Sequence, residues 1–146
     1  MVETSCSPLP SRKSTICIVD DDSDVLNSLR FLFETEGFDV RTFHSGSALL
    51  GSSARHGADC MVVDYKMPGI DGLELVRRLR GLGIQTPIIV ITGYFDEDFS
   101  AKARSAGVRQ VLKKPHVAEN LAVAVRDAIN HATGPADFAC LLRSPP

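Results

Sequence analysis

The 146-residue sequence lacks the segments that would place it in or across a membrane. No apolar run approaches the ~20 residues that a transmembrane helix needs. The first residues, MVETSCSPLPSRKS, have no apolar core of the kind that a secretory signal requires. We therefore expect a cytoplasmic protein that makes no membrane contact.

A charge surplus and a cysteine framework are also missing. The formal net charge is −2, so the chain as a whole is no electrostatic match for nucleic acid. None of the four cysteines forms a C-x-x-C pair or has a histidine at metal-site spacing. Cys17 and Cys60 lie in apolar runs, where cysteine behaves as a small hydrophobic residue. We expect both to be buried, reduced thiols.

What the sequence does contain is a regular alternation of two patterns. Helical spacing separates five short apolar runs rich in β-branched residues, at residues 15–20, 38–43, 59–64, 86–92 and 108–114. Such alternation predicts an α/β domain in which right-handed crossovers join parallel strands and helices cover both faces. The second run alternates apolar and polar residues, which indicates an edge strand.

Helical periodicity predicts where the helices lie and which faces they bury. The third helix begins near Asp71, the fourth runs over 96–106 before Gly107, and the fifth covers 117–132. The side chains predicted to face the core in the first, third and fifth helices are Val25, Leu29, Leu32, Phe33, Leu75, Leu79, Leu82, Leu121, Val125, Ala128 and Ile129.

Composition divides the chain into three segments. Residues 1–13, rich in Ser, Pro and charge, are interpreted as a flexible leader. Residues 14–132 form the predicted domain. Residues 133–146 are too few for another domain, so we expect a short tail and no effector domain. The tail contains the apolar cluster FACLL, which we expect to pack on its own domain or on a partner.

Polar and charged residues follow four of the five predicted strands. In a doubly wound parallel sheet the C-terminal ends of the strands meet at one rim, where ligands bind. Carboxylates, a hydroxyl and an ammonium group should therefore come together there. The residues concerned are Asp20, Asp21, Asp22, Asp64, Thr92 and Lys114.

Carboxylates crowded at this rim need a compensating cation. Oxygen ligands suit Mg²⁺, which is held in proteins by one or two carboxylates and keeps several waters. Asp22 and Ser23 are also good N-cap residues for the next helix. Capping would explain one acidic residue, but not three with a fourth on another strand. The pattern therefore predicts a magnesium site.

Beside such a metal, Asp64 is a candidate nucleophile toward phosphorus. A carboxylate can attack a phosphoryl group to give an aspartyl phosphate, and the transfer needs mainly positioning and charge neutralisation. The Thr92 hydroxyl could bond a phosphoryl oxygen, and a lysine on the fifth strand could supply positive charge. Taken singly, Thr92 could be a strand-end hydroxyl and Lys114 a solvated charge. Their joint placement favours the phosphoryl site.

At this point the sequence resembles the receiver domains of two-component response regulators. The motifs IVDDD, VVDYKMPGIDG, VITG and KKP occur in the order and spacing of that family, over about residues 14–132. The resemblance implies a flavodoxin-like receiver fold, with a five-stranded parallel sheet of order 2-1-3-4-5. It also implies a stoichiometric phosphoacceptor rather than an enzyme, phosphorylated by a sensor histidine kinase or a histidine phosphotransfer protein. Output would come from the surface of helix 4, strand 5 and helix 5.

The resemblance also implies the roles of the acidic residues. It makes Asp64 the phosphoacceptor. Asp21 would contact Mg²⁺ directly, Asp20 would act largely through water, and the backbone carbonyl of Lys66 would complete the protein ligands. A weak homodimer is left open.

The switch residues depart from the family pattern. The resemblance makes Thr92 the switch hydroxyl and Lys114 the lysine of a cis Lys-Pro bond. Three residues before that lysine the family usually has Phe or Tyr, whereas this sequence has Val111. A β-branched side chain has one stiff torsion and cannot move as a ring does. We therefore expect Tyr94 to supply the aromatic group and the change to run through residues 92–99.

Two other functions are alternatives to the phosphoacceptor. A phosphatase of the haloacid dehalogenase type needs a D-x-D, which Asp20 and Asp22 provide, but Asp64 and KMPGIDG would then have no role. Sustained hydrolysis of p-nitrophenyl phosphate would favour it. A DNA-binding regulator needs a basic recognition helix, and none follows residue 132. We expect a single-domain regulator without direct nucleic acid binding.

Overall fold

The computed structural model describes residues 13–93, 96–114 and 118–132. Strands and helices alternate along these residues, and a short 3₁₀ turn, Ser53–His56, precedes the third strand. The elements are β1 Thr15–Val19, α1 Ser23–Thr35, β2 Asp39–Phe43, α2 Gly46–Leu50, β3 Cys60–Asp64, α3 Gly72–Gly81, β4 Ile88–Thr92, α4 Glu97–Ala106, β5 Gln110–Lys113 and α5 Ala118–Ala132.

The five strands form one parallel sheet of order β2-β1-β3-β4-β5. The α/β class, the strand order and the edge position of the second strand are confirmed. Every residue of β3 and β4 is buried, because these central strands are covered on both faces. All five strands run in the same direction, so their C-terminal ends lie at one rim.

Successive side chains of the strands enter two separate cores, because side chains alternate across a strand. Cys17 and Val19 pack in the cluster that contains the buried residues of α3 and α4. Ile16 and Ile18 pack in the cluster that contains those of α1 and α5. Helices therefore cover both faces of the sheet, as predicted.

The two described cysteines are buried and form no disulfide. Burial raises the pKa of the Cys17 thiol to about 11 and that of Cys60 to about 12. Both thiols therefore stay protonated at neutral pH. The predicted burial of Cys17 and Cys60 is confirmed.

The predicted face of α1 is confirmed: Leu29 and Phe33 are buried in one core cluster, and the half-buried Val25 and Leu32 pack against it. One detail of the predicted helix faces was wrong. Leu82, predicted to face the core, is 57% exposed. The reason is that α3 ends at Gly81, so Leu82 already belongs to the turn that leads away from the helix.

Several predictions concern residues outside the described ranges. They are the leader, the tail with its FACLL cluster, Tyr94 and the Lys114–Pro115 bond, and they stay predictions. The same holds for the domain limits. In the part of the chain that the structure describes, no helix combines the length and apolar character needed to cross a bilayer.

The first residue of α3 makes the closest approach between a helix and the sheet. A Cβ atom on Gly72 would lie 2.7 Å from the carbonyl oxygen of Asp64 and 2.9 Å from the Cα of Tyr65. Both are backbone atoms at the end of β3. A side chain at residue 72 would therefore displace the strand end that carries Asp64.

We predict that Gly72→Ala lowers the free energy of unfolding by about 1–3 kcal/mol, because the added methyl overpacks a backbone contact. Gly81→Ala, at the other end of the same helix, is the matched control, since nothing lies within 4 Å of its Cβ position. Alanine is the better helix former, so Gly81→Ala should raise stability by up to about 0.5–1 kcal/mol. Urea denaturation measures both, and equal effects would contradict the close approach.

Candidate functional site

Three carboxylates lie together at the C-terminal rim of the sheet. One oxygen each of Asp20, Asp21 and Asp64 lies within 4.8 Å of the other two. Asp20 and Asp64 are 4% and 5% exposed, and Asp21 is exposed. Asp20 and Asp21 directly follow β1, and Asp64 ends the adjacent parallel strand β3. The cluster thus follows from strand order, as the sequence pattern predicted.

Backbone hydrogen bonds hold the cluster in place. The N–H of Asp20 donates to Phe43 O on β2 at 3.1 Å, which continues the strand pairing past the end of β1. The N–H of Asp22 then donates to Asp20 Oδ1 at 2.9 Å. Burial and these bonds leave the Asp20 carboxylate little freedom to move away from the Asp64 carboxylate.

The third aspartate of the DDD run has a different task. Asp22 is the N-cap of α1, and its Oδ1 accepts from the N–H groups of Asp24 at 2.9 Å and Val25 at 3.4 Å. A capping carboxylate satisfies helix N–H groups that have no intrahelical partner. Capping therefore explains Asp22, while Asp20 and Asp21 are left to the cluster with Asp64.

A lysine from the edge of the sheet reaches the same cluster. Lys114 Nζ lies 2.9 Å from Asp64 Oδ1, and its backbone N–H donates to Thr92 O at 2.7 Å. Burial lowers the pKa of Lys114, but the hydrogen bond and charge of Asp64, with the charges of Asp20 and Asp21, outweigh burial and raise it. The ammonium group is therefore protonated at neutral pH. Lys113, one residue earlier, is exposed.

The carboxylates retain an excess of negative charge. Burial, and then the charges of Asp64 and Asp21, raise the pKa of Asp20 against the lowering effects of the Asp22 N–H and Lys114. Within the described residues, three carboxylates thus face the single ammonium group of Lys114. An all-oxygen donor set with surplus negative charge fits a hard divalent cation such as Mg²⁺.

A cavity opens between the ends of β3 and β4. Its volume is about 470 Å³, and Tyr65, Lys66, Thr92 and Gly93 line it. Thr92 ends β4 and is buried, and Lys66 is exposed. The structure thus brings Thr92 to the same rim as Asp64 and Lys114, next to a space large enough for a phosphoryl group. The metal-binding role of the Lys66 carbonyl stays a prediction.

Sequence reasoning missed one contact at this rim. The rings of Tyr65 and Phe99 meet edge to face, with centroids 4.7 Å apart and an interplanar angle of 73°. Val111 is half-buried and packs against the same core cluster. The sequence feature that could have indicated this contact is the aromatic residue directly after Asp64, but no local sequence pattern pairs that residue with one on α4.

Comparison with known proteins agrees with this geometry. Residues 16–126 match the sequence profile of the response regulator receiver domain. The response regulator protein TodT from Pseudomonas putida is 37% identical over 130 residues, which cover 89% of this chain and 57% of TodT. The transcriptional regulatory protein FixJ from Bradyrhizobium diazoefficiens is 33% identical over 120 residues, covering 82% of this chain and 58% of FixJ. The chain therefore spans little more than half of either relative.

The fold leads to the same family. A response regulator receiver domain protein from Clostridium thermocellum superposes with a TM-score of 0.74 at 29% identity. The alignment covers 81% of this chain and 95% of that one. Profile, relatives and fold agree over the strands and helices that carry the carboxylate cluster, and the chain belongs to the response regulator receiver domain family.

Proposed function

We propose that this chain is a phosphorylation-dependent signalling module whose phosphoacceptor is Asp64. The observation that carries the proposal is the Asp64 carboxylate itself: it is nearly buried, contacts the Lys114 ammonium group at 2.9 Å, and lies in a cluster with Asp20 and Asp21. In the family, receiver domains take up phosphoryl groups. The donor would be a sensor histidine kinase or a histidine phosphotransfer protein.

The proposed reaction is a displacement at phosphorus. A carboxylate oxygen of Asp64 forms the new bond, the phosphorus–nitrogen bond of the donor phosphohistidine breaks, and the imidazole leaves with the electron pair of that bond. Lys114 keeps its proton and balances negative charge on Asp64 and on the phosphoryl oxygens. The Thr92 hydroxyl donates to a phosphoryl oxygen. Asp64 is consumed with each transfer, so the module is a stoichiometric acceptor.

Asp20, Asp21 and Asp64 are the side chains that would hold Mg²⁺, with the Lys66 carbonyl as a further ligand. When bound, Mg²⁺ neutralises phosphoryl and carboxylate charge that Lys114 alone does not balance. The raised pKa of Asp20 supports this assignment, because it reflects the cost of keeping that buried carboxylate ionised beside Asp64. Asp20 and Asp21 contribute charge and metal ligands, and the attack belongs to Asp64.

The capping role of Asp22 argues against the phosphatase alternative. In the D-x-D of that family the second aspartate is an acid/base, whereas the Asp22 carboxylate here accepts two N–H groups of α1. The carboxylate that contacts a cation, Asp64, lies on β3 instead. We therefore favour the phosphoacceptor.

The proposed output surface consists of α4, β5 and α5. The helix α4 contacts the edge strand β5, and residues of α5 line a cavity together with Gln110 and Leu112 of β5. FixJ is named a transcriptional regulatory protein, and whether the whole protein also regulates transcription depends on the part of such relatives that this chain does not span. Absence of direct nucleic acid binding, the single-domain organisation, a weak homodimer and a cytoplasmic location stay predictions.

Acetyl phosphate with Mg²⁺ should add one hydroxylamine-sensitive phosphate to the protein, and Asp64→Asn should abolish the addition. The amide keeps the shape of the carboxylate but lacks its nucleophilic charge. Intact mass spectrometry measures the product. Asp22→Asn is the matched control, because asparagine caps helices as well as aspartate does. Normal labelling of Asp64→Asn would refute the assignment.

Lys114→Met should slow this labelling by about 10²-fold or more, which is the usual effect of removing a preorganised charge at a transition state. Lys113→Met serves as its control, since that neighbouring lysine is exposed and points away from the cluster. Initial rates at saturating Mg²⁺ separate the two variants. Equal rates for both would show that the 2.9 Å contact has no part in transfer.

Asp20→Asn should stabilise the metal-free protein. Because the folded state raises the pKa of Asp20, ionised Asp20 costs stability, and the advantage of the variant should grow as pH rises above about 4, the ordinary range of an aspartate in the unfolded chain. With Mg²⁺ at tenfold excess over its Kd, the free energy of unfolding of the wild type should rise by about 1.4 kcal/mol and that of the variant by less. The wild type should then be the more stable protein. Chemical denaturation over pH, with and without Mg²⁺, gives both quantities, and a stability difference independent of pH would contradict the argument.

A further inference from the structure

The helix that follows β4, α4, is weakly anchored to the core. All ten residues of α4 are described, and among them only Phe99, Ala103 and Ala106 are buried. By contrast, α3 buries several large residues, including Leu75 and Leu79. A single large side chain, Phe99, therefore attaches the first half of α4 to the sheet. An element with so few buried apolar contacts is the one that moves at least cost.

The surface on which Phe99 rests is the ring of Tyr65, the residue after Asp64. Edge-to-face contact at 4.7 Å is a favourable aromatic geometry. The backbone of Tyr65 is tied on both sides, because its N–H donates to Ile91 O and its carbonyl accepts from the Gly72 N–H, each at 2.8 Å. A displacement at the end of β3 or β4 is thus transmitted to the Tyr65 ring.

The other end of α4 is held by a different and more polar connection. Arg80 Nη2, on α3, donates to the carbonyl of Gly107 at 2.8 Å, directly after the last residue of α4. Arg80 Nη1 also donates to Ile84 O and Thr86 O, each at 2.8 Å. The guanidinium group therefore joins the end of α4 to the α3–β4 loop, which leaves the Phe99 end as the freer one.

We propose that Tyr65 is the positioning residue that couples Asp64 to α4. Its contact with Phe99 stabilises the resting position of α4. A phosphoryl group on Asp64 adds volume and charge beside the cavity that Tyr65 and Thr92 line, and so weakens the contact. The first half of α4 then moves about the end held by Arg80. This inference rests on the proposed function of Asp64.

Amide hydrogen exchange along α4 tests the coupling directly. The probe is beryllofluoride with Mg²⁺, a stable mimic of the phosphoryl group. In the wild type, amides of residues 99–102 should exchange faster with the probe, by a few-fold to about tenfold, the factor that corresponds to one aromatic pair. Amides of residues 103–106 should change by less than twofold.

Removing the ring should mimic the probe. In Tyr65→Leu the amides of residues 99–102 should already exchange at the faster rate without beryllofluoride, and the probe should change them by less than twofold. Phe99→Leu should give the same faster exchange and the same loss of response to the probe, because it removes the other ring of the contact. Tyr65→Phe keeps the ring and should restore the wild-type response, which a general loss of stability would not do.

A second aromatic pair in the chain provides a matched control. Phe33 and Phe38 also meet edge to face, at 5.8 Å and 71°, but in the cluster on the opposite face of the sheet. Phe38→Leu should lower stability and leave the α4 response unchanged. Val111→Ala should leave it unchanged as well, since Val111 packs against the same core cluster but is not a member of the Tyr65–Phe99 pair.

The inference is overturned if Tyr65→Leu keeps the wild-type response, or if Val111→Ala or Phe38→Leu removes it. Labelling by acetyl phosphate, followed in the same variants, separates this failure from that of the proposed function. A wild type that takes up phosphate on Asp64 while α4 does not respond to beryllofluoride overturns the coupling alone. A wild type that takes up no phosphate overturns the acceptor role on which it rests.

Discussion

The rest of the structure has to support an electrostatic imbalance at one rim of the sheet. Asp20, Asp21 and Asp64 lie within a few ångströms of one another, and in the described part of the chain Lys114 is the cation in contact with them. Two of the three carboxylates are nearly buried, so solvent screens their repulsion poorly. The folded protein holds this arrangement because its apolar core lies beneath it. The same imbalance fits the divalent cation and the phosphoryl transfer that we propose for this rim.

The core must therefore be rigid where the charges lie and can be loose elsewhere. β3 and β4 are buried at every residue, and the close approach of Gly72 fixes the end of β3 against α3. On the same side of the sheet, α4 contributes one large buried side chain, Phe99, and two alanines. Stiffness at Asp64 would preserve the geometry of the proposed acceptor, and weak anchoring of α4 would keep the cost of the proposed response small.

Much of this arrangement can be predicted from the sequence because it depends on local patterns. Strand–helix alternation predicts a parallel sheet, and a parallel sheet brings Asp20, Asp64 and Lys114 to one rim. What could not be predicted depends on tertiary contacts or on single capping bonds. Leu82 fits the helical period but lies just past the end of α3. Asp22 and Ser23 are both good N-cap residues, and the sequence does not decide that Asp22 is the one that caps α1. No spacing rule pairs Tyr65 with Phe99, which lies 34 positions further along the chain.

The valine on β5 and the tyrosine after Asp64 are best understood together. An aromatic residue at position 111 would have to sense the phosphoryl group across β4, through Thr92, before it moved. Tyr65 is bonded covalently to the acceptor residue and its ring already contacts α4. In the proposed coupling through Tyr65, one residue and one ring contact connect Asp64 to α4. Fewer side chains therefore have to be displaced before α4 moves. Under the proposed coupling, a small side chain such as Val111 suffices on β5, where it packs against the core cluster.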